Sequence, residues 1–285
     1  MLRGIVAGAG VLGCAAAAFV LNSEREKPRE ARTPWTADIQ PFQPVSPTSH
    51  WDSNWDRRDP HYCVRPTENP SNEEKSRYDR ELEEAKPTAS RYLYLVRHGH
   101  FYRPGASDKE HVLTELGRKQ ADLTGQRLKQ LKIPFTRLVH STMTRATETA
   151  EIIHKHLEPL PKESCELIRE GAPVPPDPPS ETWNPDPKSY FVDGARIEAG
   201  FRKYFYRAPA SQQEDTHEII VCHSNVIRYW TCRALQLPPE AWLRISLAHG
   251  SVSVVKISPS GEVRLRALGD VGHLPIDMIT AGYPR

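Results

Sequence analysis

The sequence predicts an α/β protein: a three-layer α/β/α sandwich on a mostly parallel sheet, preceded by an N-terminal membrane helix and a linker. Three observations predict it. Apolar runs of strand length alternate with longer stretches of helical spacing, the pattern of successive βαβ units. Four strand-end junctions carry residues suited to chemistry, Arg97-His98, Arg145, Glu170 and His223. A proline-rich, charged stretch then separates this alternating part from an apolar N-terminus. The chain of 285 residues therefore divides into 1–21, a transmembrane or targeting segment; 22–90, a linker; and 91–285, a catalytic domain.

Residues 4–21 carry no charge, and eighteen helical residues rise about 27 Å, close to a hydrocarbon core of about 30 Å. A membrane anchor, a cleaved secretory signal and a mitochondrial targeting segment all fit that run. The missing disulfide pattern speaks against the secretory reading: five cysteines are scattered, odd in number, without a CxxC pair. Cys222 and Cys232 fall in apolar patterns and read as buried thiols. Prolines 28, 34, 41, 44 and 47 make the following stretch an extended tether, and 71–86 reads as a short exposed helix stopped by Pro87. Between them lies Trp51-Asp52-Ser53-Asn54-Trp55-Asp56. Two tryptophans in a polar linker are costly to leave in water, so they dock, either on their own catalytic domain or on a neighbouring subunit.

Tyr92 to Val96 is too short for a self-sufficient helix and reads as a buried strand ending in Arg97-His98-Gly99. Thr114 caps a helix whose buried stripe is Ala121, Thr124, Leu128 and Leu131. Arg137 to His140 is a second strand, and the helix after it carries Arg145 in its first turn, beside the hydroxyls of Ser141, Thr142 and Thr144. Cys165 to Gly171 reads as a short strand delivering Glu170, followed by a proline-rich excursion that holds Trp183 and a helix from Phe191 to Arg207. His217 to Cys222 is the next strand, delivering His223 at the mouth of a helix. Residues 251–258 and 263–268 alternate and form an edge hairpin.

Lys+Arg 38 against Asp+Glu 36 leaves no basic field of the kind nucleic-acid binding needs. The junction residues instead suit phosphoryl transfer. A neutral His98 attacks phosphorus, while Arg97, Arg145 and a protonated His223 neutralise the equatorial oxygens. Glu170 protonates the leaving alkoxide and later takes a proton from water. Fixed cations take the place of a metal in this scheme, so no metal or other cofactor is expected. A metal site built from His98, His100 and His223 is the competing chemistry, and it lacks a carboxylate at metal-ligand spacing.

Leu95-Val96-Arg97-His98-Gly99, followed in order by Leu113 to Gly117, His140 to Ala146 and Cys222-His223, resembles the histidine phosphatase superfamily, the phosphoglycerate mutase-like fold. Arg169 to Pro173, Asp193 to Glu198, Asn225 to Tyr229 and the double-Trp segment narrow the resemblance to the mitochondrial serine/threonine-protein phosphatases of that family. The resemblance implies His98 as phosphohistidine nucleophile, Glu170 as acid/base, and Arg97, Arg145 and His223 as the phosphate pocket. It implies phosphorylated proteins as substrates and a single-pass anchor in a mitochondrial membrane. It also implies activation by homo-oligomerisation through Trp51, Asp52, Asn54, Trp55 and Asp56. Ser53 stands where the family motif carries Pro, and Ser224 replaces a small apolar residue. Thr67 to Glu74 does not reproduce the acidic turn by which vertebrate members bind an oxidative-stress adaptor, so that partner is not carried over. Two other functions stay open: a phosphatase or mutase for small phosphorylated metabolites, and a low-activity membrane-tethered scaffold.

Overall fold

A computed structural model describes residues 51–103 and 107–281. Two helices come first, α1 (Pro60–Cys63) and α2 (Asn72–Glu84), and α2 buries none of its residues. The domain continues as β1 (Arg91–Arg97), α3 (Glu115–Gln130), β2 (Arg137–Ser141), α4 (Thr144–His154), β3 (Lys162–Cys165) and α5 (Pro187–Tyr204). It ends with β4 (Thr216–Cys222), α6 (Ser224–Ala234), β5 (Val252–Ile257) and β6 (Val263–Asp270). The strands form one sheet in the order β3-β2-β4-β1-β5-β6. Its first four strands are parallel, and β5 and β6 join antiparallel as the expected edge hairpin.

Successive side chains of a strand point to opposite faces, and β1 uses both. Leu93 and Leu95 pack with Ile197, Phe201, Val226 and Trp230 of α5 and α6. Tyr94 and Val96 pack with Leu128, Ala150 and Ile153 of α3 and α4. That is the three-layer sandwich. Register then places the site: Arg97 lies level with Cys222, and His140 with Val221, so the carboxyl ends of β1, β2 and β4 form one rim. Ligands of open α/β sheets bind at such a rim.

Two boundaries differ from expectation. Of the strand read over Cys165 to Gly171 only Cys165 is strand, the last residue of β3, after which Glu166–Ile168 turns as a 3₁₀ helix. Cys165 pairs with Ser141, the last residue of β2, so the chain beyond it has no strand to pair with. Glu170 therefore sits on a loop. The helix read over Phe191 to Arg207 starts earlier and stops sooner. Asp186 caps it by accepting from the Ser189 N–H (3.0 Å), Pro187 takes its first position, and Phe205 is already its C-cap.

The double-Trp segment docks on its own chain through Trp55, whose indole Nε1 donates to the Gly261 carbonyl at 2.8 Å. Asn54 is buried and its side-chain oxygen accepts from the Asp59 N–H at 3.0 Å. Asp56 pairs with Arg207, while Trp51 stays 40% exposed. Gly261 adopts φ +84, and a Cβ there would strike the Arg207 guanidinium, so the hairpin turn needs glycine at this contact. Cys165, Cys222 and Cys232 are buried free thiols. Among the described residues no helix is long and apolar enough to cross a membrane. The apolar run 4–21 and the proline tether of residues 28–47 lie outside them.

Candidate active site

His98 follows β1 directly, held by its own backbone N–H on the Cys222 carbonyl (3.0 Å). Its Nδ1 lies 2.8 Å from the Gly99 carbonyl, which can only accept, so the ring proton sits on Nδ1. Arg145 Nε donates to the opposite nitrogen, Nε2, at 3.2 Å. A guanidinium has no acceptor, so this contact requires a lone pair on Nε2. Both bonds fix the same neutral tautomer. Burial, and then the charges of Arg145, His223 and Arg97, hold the imidazole well below its ordinary pKa.

Arg145 stands in the first turn of α4, as expected. The N-cap residue Met143 offers that helix no side-chain cap; Asp108 supplies one from another loop, its Oδ2 accepting from the Thr144 N–H (3.0 Å) and hydroxyl (3.2 Å). The other oxygen of Asp108 lies 3.5 Å from Arg145. The expected hydroxyl cluster is thus engaged within the protein, with Thr142 on Arg169 (3.1 Å) and Ser141 on His223 (2.8 Å). Thr149 ties the loop to α4, accepting from the Gly99 N–H at 3.1 Å.

His223 precedes α6 and its ring centroid lies 5.1 Å from that of His98. Burial, Arg145 and Arg97 push its pKa well below the ordinary value, which favours the neutral ring until an anion arrives. Two neighbouring guanidiniums already supply the positive charge. Glu170 shows the opposite shift. Burial raises its pKa against the pull of Arg145 and Arg97, which keeps the protonated acid within reach. Its Oε2 sits at the N-terminus of α6, 3.4 Å from the Ser224 hydroxyl and 3.5 Å from the Asn225 N–H.

Arg97 is buried and donates to the Leu247 carbonyl and to His249 Nε2 (3.0 Å). Arg145 and Glu170 line an open cleft of about 710 Å³, walled by Phe101, Trp183 and Asn225. His98 lies behind Arg145 and packs edge-on against Phe101 at 5.1 Å. All five residues singled out from the strand ends therefore converge. His100 does not join them: its Nδ1 faces the Thr114 hydroxyl at 2.9 Å. Among the described residues no three His, Cys, Asp or Glu side chains form a metal-binding group. Sequence reasoning missed Asp108 and His249. Neither lies at a strand end that the periodicity marked, and their partners are 36 and 152 residues away.

A family model described as the histidine phosphatase superfamily (branch 1) matches residues 93–173 and 176–270. The protein named serine/threonine-protein phosphatase Pgam5, mitochondrial, of Drosophila ananassae is 48% identical over 287 residues, covering 100% of this chain and 97% of that protein. Its Drosophila melanogaster namesake is 46% identical over 276 residues, covering 96% and 94%. Among solved structures, Bacillus stearothermophilus YhfR aligns with a TM-score of 0.51 at 22% identity, covering 64% of this chain and 98% of that one. That likeness is one of fold.

Proposed function

Since the chain belongs to the histidine phosphatase superfamily, we propose that it is a mitochondrial serine/threonine-protein phosphatase working through a phosphohistidine on His98. The observation that carries this reading is the pinned tautomer: Arg145 Nε points at a lone pair on His98 Nε2, 3.2 Å away. A phosphoryl group replacing that contact would meet a neutral nucleophile and a guanidinium together.

In the first step Nε2 forms a bond to phosphorus and the phosphorus–oxygen bond to the serine or threonine breaks. The alkoxide leaves with the proton of Glu170, whose raised pKa suits it to act as acid. In the second step water attacks the phosphohistidine, Glu170 takes the water proton, and inorganic phosphate departs with His98 restored. Arg97 and Arg145 balance the charge on the equatorial oxygens. His223, 5.1 Å from His98 between ring centroids, donates a hydrogen bond to the phosphate, whose charge favours its imidazolium.

The wide cleft beside Glu170 suits a phosphorylated side chain presented on a protein surface. Residues 4–21 would anchor the chain in a mitochondrial membrane, on the strength of their length and lack of charge. Assembly through the 51–56 segment would use Trp51, the exposed tryptophan, since Trp55 and Asp56 are engaged within the chain.

The test offers the full chain phosphoserine and phosphothreonine peptides and, separately, 3-phosphoglycerate, with a chelator present. Release of phosphate from the peptides and little from phosphoglycerate is expected. Release from phosphoglycerate alone would overturn the substrate class. Phosphate binding without any release would leave only the scaffold.

A further inference from the structure

Behind Arg97 stands His249, buried just before β5. Arg97 donates to its Nε2 at 3.0 Å, and a guanidinium cannot accept, so the ring proton of His249 lies on Nδ1. Nδ1 in turn lies 2.9 Å from the Thr280 hydroxyl and 3.1 Å from the Thr280 carbonyl. The backbone N–H of His249 donates to that same carbonyl at 2.8 Å. The Thr280 hydroxyl also accepts from Gln120 Nε2 at 3.0 Å, and the same amide reaches the Met278 carbonyl at 2.7 Å. Gln120 is fully buried in α3, and its oxygen accepts from the backbone N–H of His100 at 2.8 Å.

Thr280 is thus tied to both flanks of His98: through His249 to Arg97, and through Gln120 to the backbone of His100. Core packing does not explain why this segment lies here. Ile276 is 90% exposed and Ile279 39%, so little apolar surface holds residues 276–280 down. What holds them is a set of polar bonds directed at the site.

We propose that His249, Gln120 and Thr280 form a positioning network through which the C-terminal segment sets the geometry of Arg97 and of the loop carrying His98 for an incoming phosphate. The proposal rests on Arg97 being a phosphate ligand. None of the three touches the reacting atoms; each acts through another residue. Burial and the charge of Arg97 push the His249 pKa down to about 2, so its Nε2 stays an acceptor at neutral pH. Removing the Thr280 hydroxyl leaves the imidazole only the longer contact to the Thr280 carbonyl, so Arg97 is braced less firmly.

The test uses the full chain carrying Thr280→Val, a near-isosteric change that deletes only the hydroxyl, and the probe is inorganic phosphate. Titration calorimetry is expected to show affinity falling about tenfold, the value of one hydrogen bond to a charged group, with kcat/KM falling in parallel and Tm unchanged. Thr280→Ser, which restores the hydroxyl, is expected to recover the affinity. His249→Leu should weaken phosphate at least as much as Thr280→Val. Phosphate affinity like that of the parent in both Thr280→Val and His249→Leu would overturn the proposal, as would losses that simply follow a lowered Tm. Should the parent turn over no phosphopeptide while Thr280→Val still weakens phosphate, the substrate reading fails and the positioning network stands. A parent that binds no phosphate overturns both.

Discussion

Arg207 and Arg145 are both buried guanidiniums, with side chains 2% and 7% exposed, yet they face different company. Arg207 donates through Nε to both oxygens of Asp56 at 3.1 Å and through a terminal nitrogen to Asp56 Oδ1 at 2.9 Å. It also reaches the carbonyls of Ser53 and Ser260 and lies 3.6 Å from Asp59. Two carboxylates there answer one cation. Arg145 instead aims its Nε at an imidazole, with Asp108 at 3.5 Å. Arg145 and Arg97 both push His98, His223 and His249 further toward the neutral form. Charge balanced within the chain clamps the 53–59 segment onto the domain. A guanidinium turned on a neutral imidazole instead suits a place where an anion arrives.

That contrast is broken most severely at His98. His98→Ala is expected to lower kcat on phosphopeptides at least about a thousandfold, with no loss of stability in urea. Near-parental turnover would remove His98 as nucleophile. Arg207→Leu should do the reverse. It strands Asp56 in the interior and costs about 3 kcal/mol or more of unfolding free energy by denaturant titration. A loss below about 1 kcal/mol would place this pair with ordinary surface bridges.

Glu170→Gln sharpens the picture of the site. It should slow kcat/KM for phosphoserine roughly a hundredfold and that for an aryl phosphate much less, since an aryl leaving group needs little protonation. The raised pKa of Glu170 means its acid form survives above the ordinary 4.5, and kcat/KM for phosphoserine should fall as pH rises through that raised value. Equal losses on the two substrates would remove the acid role.

The smallest effect is on stability against pH. His98 and His223 have folded-state pKa values far below 6.5, so the unfolded chain binds more protons as pH drops through 6.5. Stability conferred by the neutral imidazoles is full above that pH and is lost as pH falls. Inorganic phosphate should offset the loss, because a bound anion favours the imidazolium. A thermal melt at pH 5.5 that ignores added phosphate would contradict an anion site at these residues.

Much of the fold was legible because it is local. Apolar runs marked β1, β2 and β4, and Thr114 announced α3, its hydroxyl accepting from the Gly117 N–H at 3.0 Å. Arg97, His98 and His223 could be read because each lies at or just beyond a strand end, and Arg145 because it opens the helix after β2. What escaped was set by distant partners. From sequence Glu170 reads as strand, because nothing in its own neighbourhood says that β2 ends at Ser141. The protonation of His223 depends on arginines 78 and 126 positions away, which only the folded sheet brings near. Asp186-Pro187 did carry a legible helix start, masked by the prolines around it.

The most direct test is rapid-quench mass spectrometry of the full chain mixed with a phosphothreonine peptide, in the parent and in Glu170→Gln. A phosphoryl group is expected on His98 in the parent, formed and hydrolysed more slowly in Glu170→Gln, where neither the alkoxide is protonated nor water activated, and absent in His98→Ala. Steady turnover with no phosphoryl group on His98 at any quench time would contradict that expectation.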